Sequence, residues 1–161
     1  LCALLIIFIF VQSMRSVQVL TIAPDASVYQ NAPAPKPEIE IERAIREYIK
    51  FRYNWAPKTI NSQLSKSGAF ILPSTKRIFD GSMSDVVKFS VEKAVSQRAY
   101  PYEIKVELKK NIVSVFGDRV TRIQGIKAAG DLRLDLTYES GPRTPVNPWG
   151  IYISKEKELE L

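Results

Sequence analysis

The stretch Asp131-Leu132-Arg133-Leu134-Asp135-Leu136-Thr137-Tyr138-Glu139 alternates polar and apolar side chains without a break. Successive side chains of a strand point to opposite faces, so the pattern predicts a half-buried strand with Leu132, Leu134, Leu136 and Tyr138 inside. Upstream, Ile104, Val106 and Leu108 alternate with Glu103, Lys105, Glu107 and Lys109 and predict a second strand, beginning after Pro101. Between the two lies a long strand from Ile112 to about Gln124. Gly117 interrupts it, and an interior strand glycine predicts a bulge or bend. Asn111 marks one turn, and Gly125 with Ala128-Ala129-Gly130 the next reversal. A loop from Ser140 to Pro148 leads to a last strand, Trp149 to about Ser154. The charged tail from Lys155 to Leu161 is expected to fray. Consecutive strands joined this way make an antiparallel meander.

Further upstream the period changes to 3.6. Ile41, Ala44, Ile45, Tyr48 and Ile49 fall on one stripe of a helix from Glu38 to about Tyr53. Pro37 suits its first position, acidic Glu38, Glu40 and Glu42 its N-terminal end, and Lys50 and Arg52 its C-terminal end. A shorter helix is expected from Pro57 to Ser67, with Ile60 and Leu64 inward and Gly68 ending it. A third begins near Pro73, with a break expected at Asp80-Gly81-Ser82, and resumes from Ser84 to about Val95. Helices followed by a meander predict an α+β domain, its helices packed on one face of a curved four-stranded antiparallel sheet.

Residues 1–11 are continuously apolar and uncharged. A spanning helix needs ~20 such residues. The chain opens on Leu1, so the expectation is a truncated single-span membrane helix. A signal peptide is the rival, but Gln12-Ser13-Met14-Arg15-Ser16 makes a poor small-residue cleavage site. A buried core helix is the plainer alternative, opposed by apolar residues on every face. After Val11 the basic residues are Arg15 and then only Lys36. Cytoplasmic flanks are richer in Lys and Arg, so the body is expected outside the cytoplasm, in the periplasm. Pro24, Pro33, Pro35 and Pro37 predict a stiff extended spacer, preceded by a short strand or juxtamembrane continuation at 14–22. The chain thus divides into residues 1–13, a membrane segment; 14–37, a juxtamembrane strand and proline-rich linker; 38–155, the α+β domain; and 156–161, the tail.

The 161 residues hold no histidine and one cysteine, Cys2. This removes Ser/His and Cys/His nucleophiles, histidine metal ligation, cysteine zinc sites and an internal disulfide. Glu103, Glu107, Asp131 and Asp135 fall on the polar parity of their strands and face water. Asp118, beside Gly117, fits turn chemistry better than catalysis. Gly68 and Gly81 belong to no phosphate-binding pattern. No catalytic, cofactor or metal residue is therefore expected. The net charge of +6 is dispersed, with Lys76-Arg77 and Lys109-Lys110 the only adjacent basic pairs. That predicts mild attraction to an anionic lipid surface or an acidic partner, and no nucleic-acid binding. Trp55 and Trp149, each near a proline, read as core lids. Ile39, Phe51 and Tyr53 lie off the first helix's stripe and would suit a partner.

Two stretches, Glu47-Tyr-Ile-Lys-Phe-Arg-Tyr-Asn54 with Pro57, Thr59, Ile60 and Gln63, and Asn147-Pro-Trp-Gly-Ile-Tyr-Ile153 after Arg143, point the same way. With Val113, Val115, Gly117 and Gly125, they resemble the periplasmic domain of the VirB-eight and TraE type. These are bitopic inner-membrane scaffold proteins of type IV secretion and conjugation machines. The likeness covers about Pro37 to Ile153 and the apolar segment ahead of it. It implies an NTF2-like or cystatin-like fold, no enzymatic activity, no cofactor and no small-molecule substrate. It also implies self-association and docking to other channel components. The interaction residues it suggests are Asn147, Pro148, Trp149 and Gly150 of the turn, with Tyr48, Phe51, Arg52 and Tyr53. Trp149 departs from the usual residue between proline and glycine, and Ser154-Lys155-Glu156 replaces a tyrosine-rich strand ending. The alternative is a membrane-tethered NTF2-like small-molecule binder or enzyme, which needs a sealed pocket with a polar group inside.

Overall fold

The computed structural model describes residues 20–22, 28–30 and 37–159. The membrane segment expected at 1–13 lies outside the described residues. Among those described, no helix is long and apolar enough to cross a membrane. The chain forms two compact units, residues 1–36 and 37–161. In the first, β1 (Leu20–Ile22) pairs antiparallel with β2 (Val28–Gln30), Leu20 opposite Gln30. A short hairpin therefore occupies part of the stretch expected to be an extended spacer.

In the second unit, α1 (Pro37–Tyr53) starts on its proline and buries the whole expected stripe, Ile41 through Ile49. A turn at Pro57 leads into α2 (Ile60–Ser67), which begins three residues later than Pro57 suggested. A short 3-10 turn, Gly68–Phe70, follows it. The third helix, α3 (Lys76–Glu92), runs unbroken through Gly81. The expected break is absent because Phe79 on one side and Met83, Val86 and Val87 on the other all pack on the core, against the ~1 kcal/mol that a helical glycine costs.

The sheet has the order β3-β4-β5-β6, all antiparallel: β3 (Ser96–Glu107), β4 (Ile112–Ile123), β5 (Ile126–Ser140) and β6 (Ile151–Glu158). Its inner face presents Val113, Val115, Leu132, Leu134, Leu136, Tyr138, Ile151 and Ile153 to the α1 stripe and to Phe70 and Ile71. A smaller cluster of Trp55, Ile60, Leu64, Met83 and Val95 joins α2 to α3. This is an α+β fold, three helices on a four-stranded antiparallel sheet.

Five strand details differ from the sequence reading. β3 starts at Ser96, ahead of Pro101, which an edge strand tolerates because one side of it needs no donor. Leu108 lies beyond its end and is exposed. Ala128-Ala129-Gly130 is strand, not turn, because Gln124 and Gly125 (φ 49° and 90°) reverse the chain by themselves and pair Ile123 with Ile126. The bulge signalled by Gly117 lies opposite it, at Tyr102, between the pairs Pro101–Gly117 and Glu103–Phe116. A Cβ on Gly117 would stand 2.7 Å from the Tyr100 carbonyl oxygen and 2.9 Å from Pro101 Cα, so the glycine admits the bulged strand. Finally, β6 continues to Glu158 instead of fraying after Ser154.

Candidate interaction site

The residues singled out by the sequence form two separate constructions. The first is the loop between β5 and β6. Asn147 is fully buried, and every polar group of its side chain is used. Its Nδ2 donates to Ala69 O (3.3 Å) and Ile151 O (2.9 Å), and its Oδ1 accepts from Gly150 N–H (3.2 Å). Its own N–H donates to Thr144 Oγ1 (3.0 Å). Gly150 has φ 63°, and a Cβ there would lie 2.4 Å from Gly141 O, so only glycine fits. Trp149 is half-buried and stacks on Phe70, ring centroids 5.9 Å apart. Pro148 and Val146 are exposed. Arg143 Nη2 reaches Glu40 Oε2 at 2.9 Å and ties the loop to the start of α1. Asn147 is therefore the internal brace of the turn, and the surface it offers is that of its neighbours.

The second construction joins the C-terminal half of α1 to β6. Tyr48 and Tyr53 both donate their hydroxyls to the Glu156 carboxylate, Tyr53 to Oε1 at 2.8 Å. Arg52 Nη2 approaches the same Oε1 at 3.4 Å. The Arg52 guanidinium also lies over the rings of Tyr53 (4.9 Å) and Phe79 (5.8 Å), and its buried Nε has no hydrogen-bond partner. Burial, reinforced by the Glu156 charge, holds both tyrosine hydroxyls well above the ordinary tyrosine range. Burial opposes the Arg52 charge, but Glu156 and the two tyrosines outweigh it and push its pKa up. Beside this clasp a cleft of about 360 Å³ opens between α1, α3 and β6, with Arg52, Phe79, Ser82 and Glu156 on its walls. Tyr53, expected on a free face, is buried here, while Ile39 is exposed and Phe51 half-buried with Lys50 and Lys66 over its ring (5.2 and 5.4 Å).

Glu156, the centre of the clasp, was expected in the tail. On strict alternation it shares the outward parity of Tyr152. The ladder slips between Thr137–Lys155 and Tyr138–Ile153, leaving Ser154 bulged, and the extra residue turns Glu156 to the inner face opposite Leu136. A bulge carries no residue signature of its own here. The one available hint was the presence of two tyrosines and an arginine, Tyr48, Arg52 and Tyr53, at helical spacing. Glu103, Glu107, Asp118 and Asp131 are exposed, and Asp135 accepts from Ser114 Oγ at 2.8 Å. Among the described residues no three acidic or cysteine side chains gather as a metal site.

No protein-family model and no curated protein matches the chain by sequence. Solved structures do match it. The VirB8 protein of Agrobacterium tumefaciens superposes with TM-score 0.64 at 14% identity, covering 81% of this chain and 99% of that one. The domain has the VirB8 fold. TraE, in complex with 2-(2-furyl)isonicotinic acid, superposes with TM-score 0.63 at 11% identity over 79% of this chain and 98% of its own. A TrwG component of the type IV secretion system of Bartonella birtlesii gives TM-score 0.59 at 12% identity over 78% and 92%. The VirB8 fold thus accounts for nearly the whole of each of these chains.

Proposed function

We propose that this protein is a non-enzymatic component of a type IV secretion or conjugation machine. On this reading it is held in the bacterial inner membrane by its N-terminal apolar segment, with the α+β domain in the periplasm. It works by self-association and by contact with other channel proteins. The observation that carries the reading is the likeness to VirB8, TraE and TrwG along 92–99% of their chains. The interaction residues divide into two roles. Pro148, Trp149, Phe51 and Arg52 offer surface, while Asn147, Gly150, Tyr48 and Tyr53 hold that surface in shape from behind. The test is deletion of the gene in its own bacterium, complemented by the full chain or by Pro148→Asp, which changes the surface of the turn and leaves the Asn147 side-chain hydrogen bonds in place. DNA transfer or protein export is expected to stop on deletion, return with the full chain and fall at least several-fold with the variant. Transfer and export unaffected by deletion would sink the reading.

A second reading is supported by the cleft beside Arg52 and by the TraE complex with an aromatic carboxylic acid. Here the domain takes a small aromatic carboxylate against the Arg52 guanidinium. Titration with isonicotinic acid derivatives, followed by NMR shifts around Phe79 and Glu156 and repeated with Arg52→Gln, tests it.

A further inference from the structure

The edges of the sheet are not equally covered among the described residues. On β3, Gln97 exchanges two backbone hydrogen bonds with Trp55 (2.9 and 3.1 Å), and Ala99 N–H donates to Asn54 Oδ1 (2.7 Å). Farther along, Pro101 lacks a donor, Tyr102 bulges, and Glu103, Lys105 and Glu107 add charge. On β6, Leu72 N–H donates to Ile153 O (2.9 Å) and covers the edge at that residue. β5 is different. β6 pairs with it only from Leu134 onward, and Leu159 N–H adds a last bond to Arg133 O (2.9 Å). From Ile126 to Leu132, no strand among the described residues lies against that side of β5, and Ile126 through Asp131 are exposed. Backbone groups two residues apart point the same way. Arg133 turns its carbonyl to that side, so Asp131, Ala129 and Lys127 present their N–H and C=O groups there too. An open row of this kind is a template for another strand.

We infer that this edge pairs, antiparallel, with the same edge of a second copy, about a two-fold axis at Ala129. The open stretch runs from the turn at Gln124-Gly125 to the end of β6, and Ala129 is its midpoint. That register sets Lys127 against Asp131 of the second copy, and Asp131 against Lys127 of the second copy. Of the two-fold registers open to this edge, only the one centred on Ala129 sets Lys127 opposite Asp131, and an axis at Lys127 or Asp131 sets like charges against each other, so the charges favour this register. Ala128, Ala129 and Gly130 keep the centre free of large side chains. A self-complementary strip of this kind makes a closed, isologous contact. The inference rests on the self-association part of the proposed function and gives it a surface separate from the Asn147–Gly150 turn.

The test is cross-linking of the full chain in mild detergent, with Cys2→Ser as background. At a hydrogen-bonded antiparallel pair the Cα atoms stand ~5.5 Å apart, within disulfide reach. Ala129→Cys is expected to give a covalent dimer on gentle oxidation, well ahead of the exposed control Lys93→Cys. Adding Lys127→Asp sets acid against acid and is expected to weaken dimerisation roughly ten-fold. The swapped pair, Lys127→Asp with Asp131→Lys, is expected to restore it. Equal cross-linking at Ala129 and Lys93, or a swap that restores nothing, overturns the inference. Sedimentation of the wild-type chain separates the two layers. An associating chain with an unresponsive Ala129 overturns the edge pairing alone, and a monomeric chain overturns self-association as well. A product from oxidised cells whose mass is not that of the dimer assigns the edge to another extended chain and overturns the second copy.

Discussion

Asn147 shows how one side chain can be conspicuous in a sequence for one reason and matter in the fold for another. In the sequence it opens an Asn-Pro-Trp-Gly turn; in the structure its amide feeds two carbonyls and receives one N–H at the centre of a loop. Leaving such buried groups unpaired costs ~1–3 kcal/mol each. Asn147→Ala is expected to destabilise the domain by about 2–4 kcal/mol in urea titration. Asn147→Asp, which keeps the acceptor and points a carboxylate at the two carbonyls, is expected to do at least as much harm. Tyr48 and Tyr53 make a pH-dependent contribution of predictable sign. Their folded pKa values lie above the ordinary 10.0, so the unfolded chain loses protons there that the native chain keeps. The stabilisation is complete below pH ~10 and is lost as pH rises through and beyond it, by up to about 1.4 kcal/mol per pH unit for each tyrosine. Urea midpoints at pH 9, 10.5 and 11.5 check this; the double variant Tyr48→Phe, Tyr53→Phe is expected to flatten the decline.

Elements were legible where one period held throughout. The α1 stripe and the inner face of β5 were named residue by residue, because uninterrupted spacing of 3.6 or 2 leaves one buried face. What escaped was whatever changes phase. Bulges at Tyr102 and Ser154 shift parity within a strand, so Pro101 opposes Gly117 while Ile104 opposes Val115, and Glu156 moves inside. The candidate site suffered most, since its central carboxylate lies just past such a shift. In helix α3 the opposite holds: Gly81 signals a break, and the packed Phe79, Met83, Val86 and Val87 around it outweigh that signal. A Cβ at Gly81 meets nothing within 4 Å. Gly81→Ala is therefore expected to raise stability by about 0.5–1 kcal/mol, measured as a higher urea midpoint with unchanged slope.

At the scale of the molecule, the described residues 37–159 hold two clusters of buried side chains, and each contains or touches one tryptophan. Trp55 belongs to the α2–α3 cluster and Trp149 packs against the sheet cluster. Half-buried Phe79 packs on both. A chain beginning at Pro37 is expected to fold by itself and to unfold in one step. Single-tryptophan variants, Trp55→Phe and Trp149→Phe, are expected to give fluorescence transitions that coincide with circular dichroism. Two separated midpoints would mean that α2 and α3 melt away from the sheet. Glu156 also determines how the domain bears load. The last strand is not held by its ladder alone, because a carboxylate three residues before Leu159 is gripped by two hydroxyls and a guanidinium from α1. Tension applied at the C-terminal end must break that grip before β6 can peel from β5, so a pull there is resisted by the first helix as well as by the neighbouring strand.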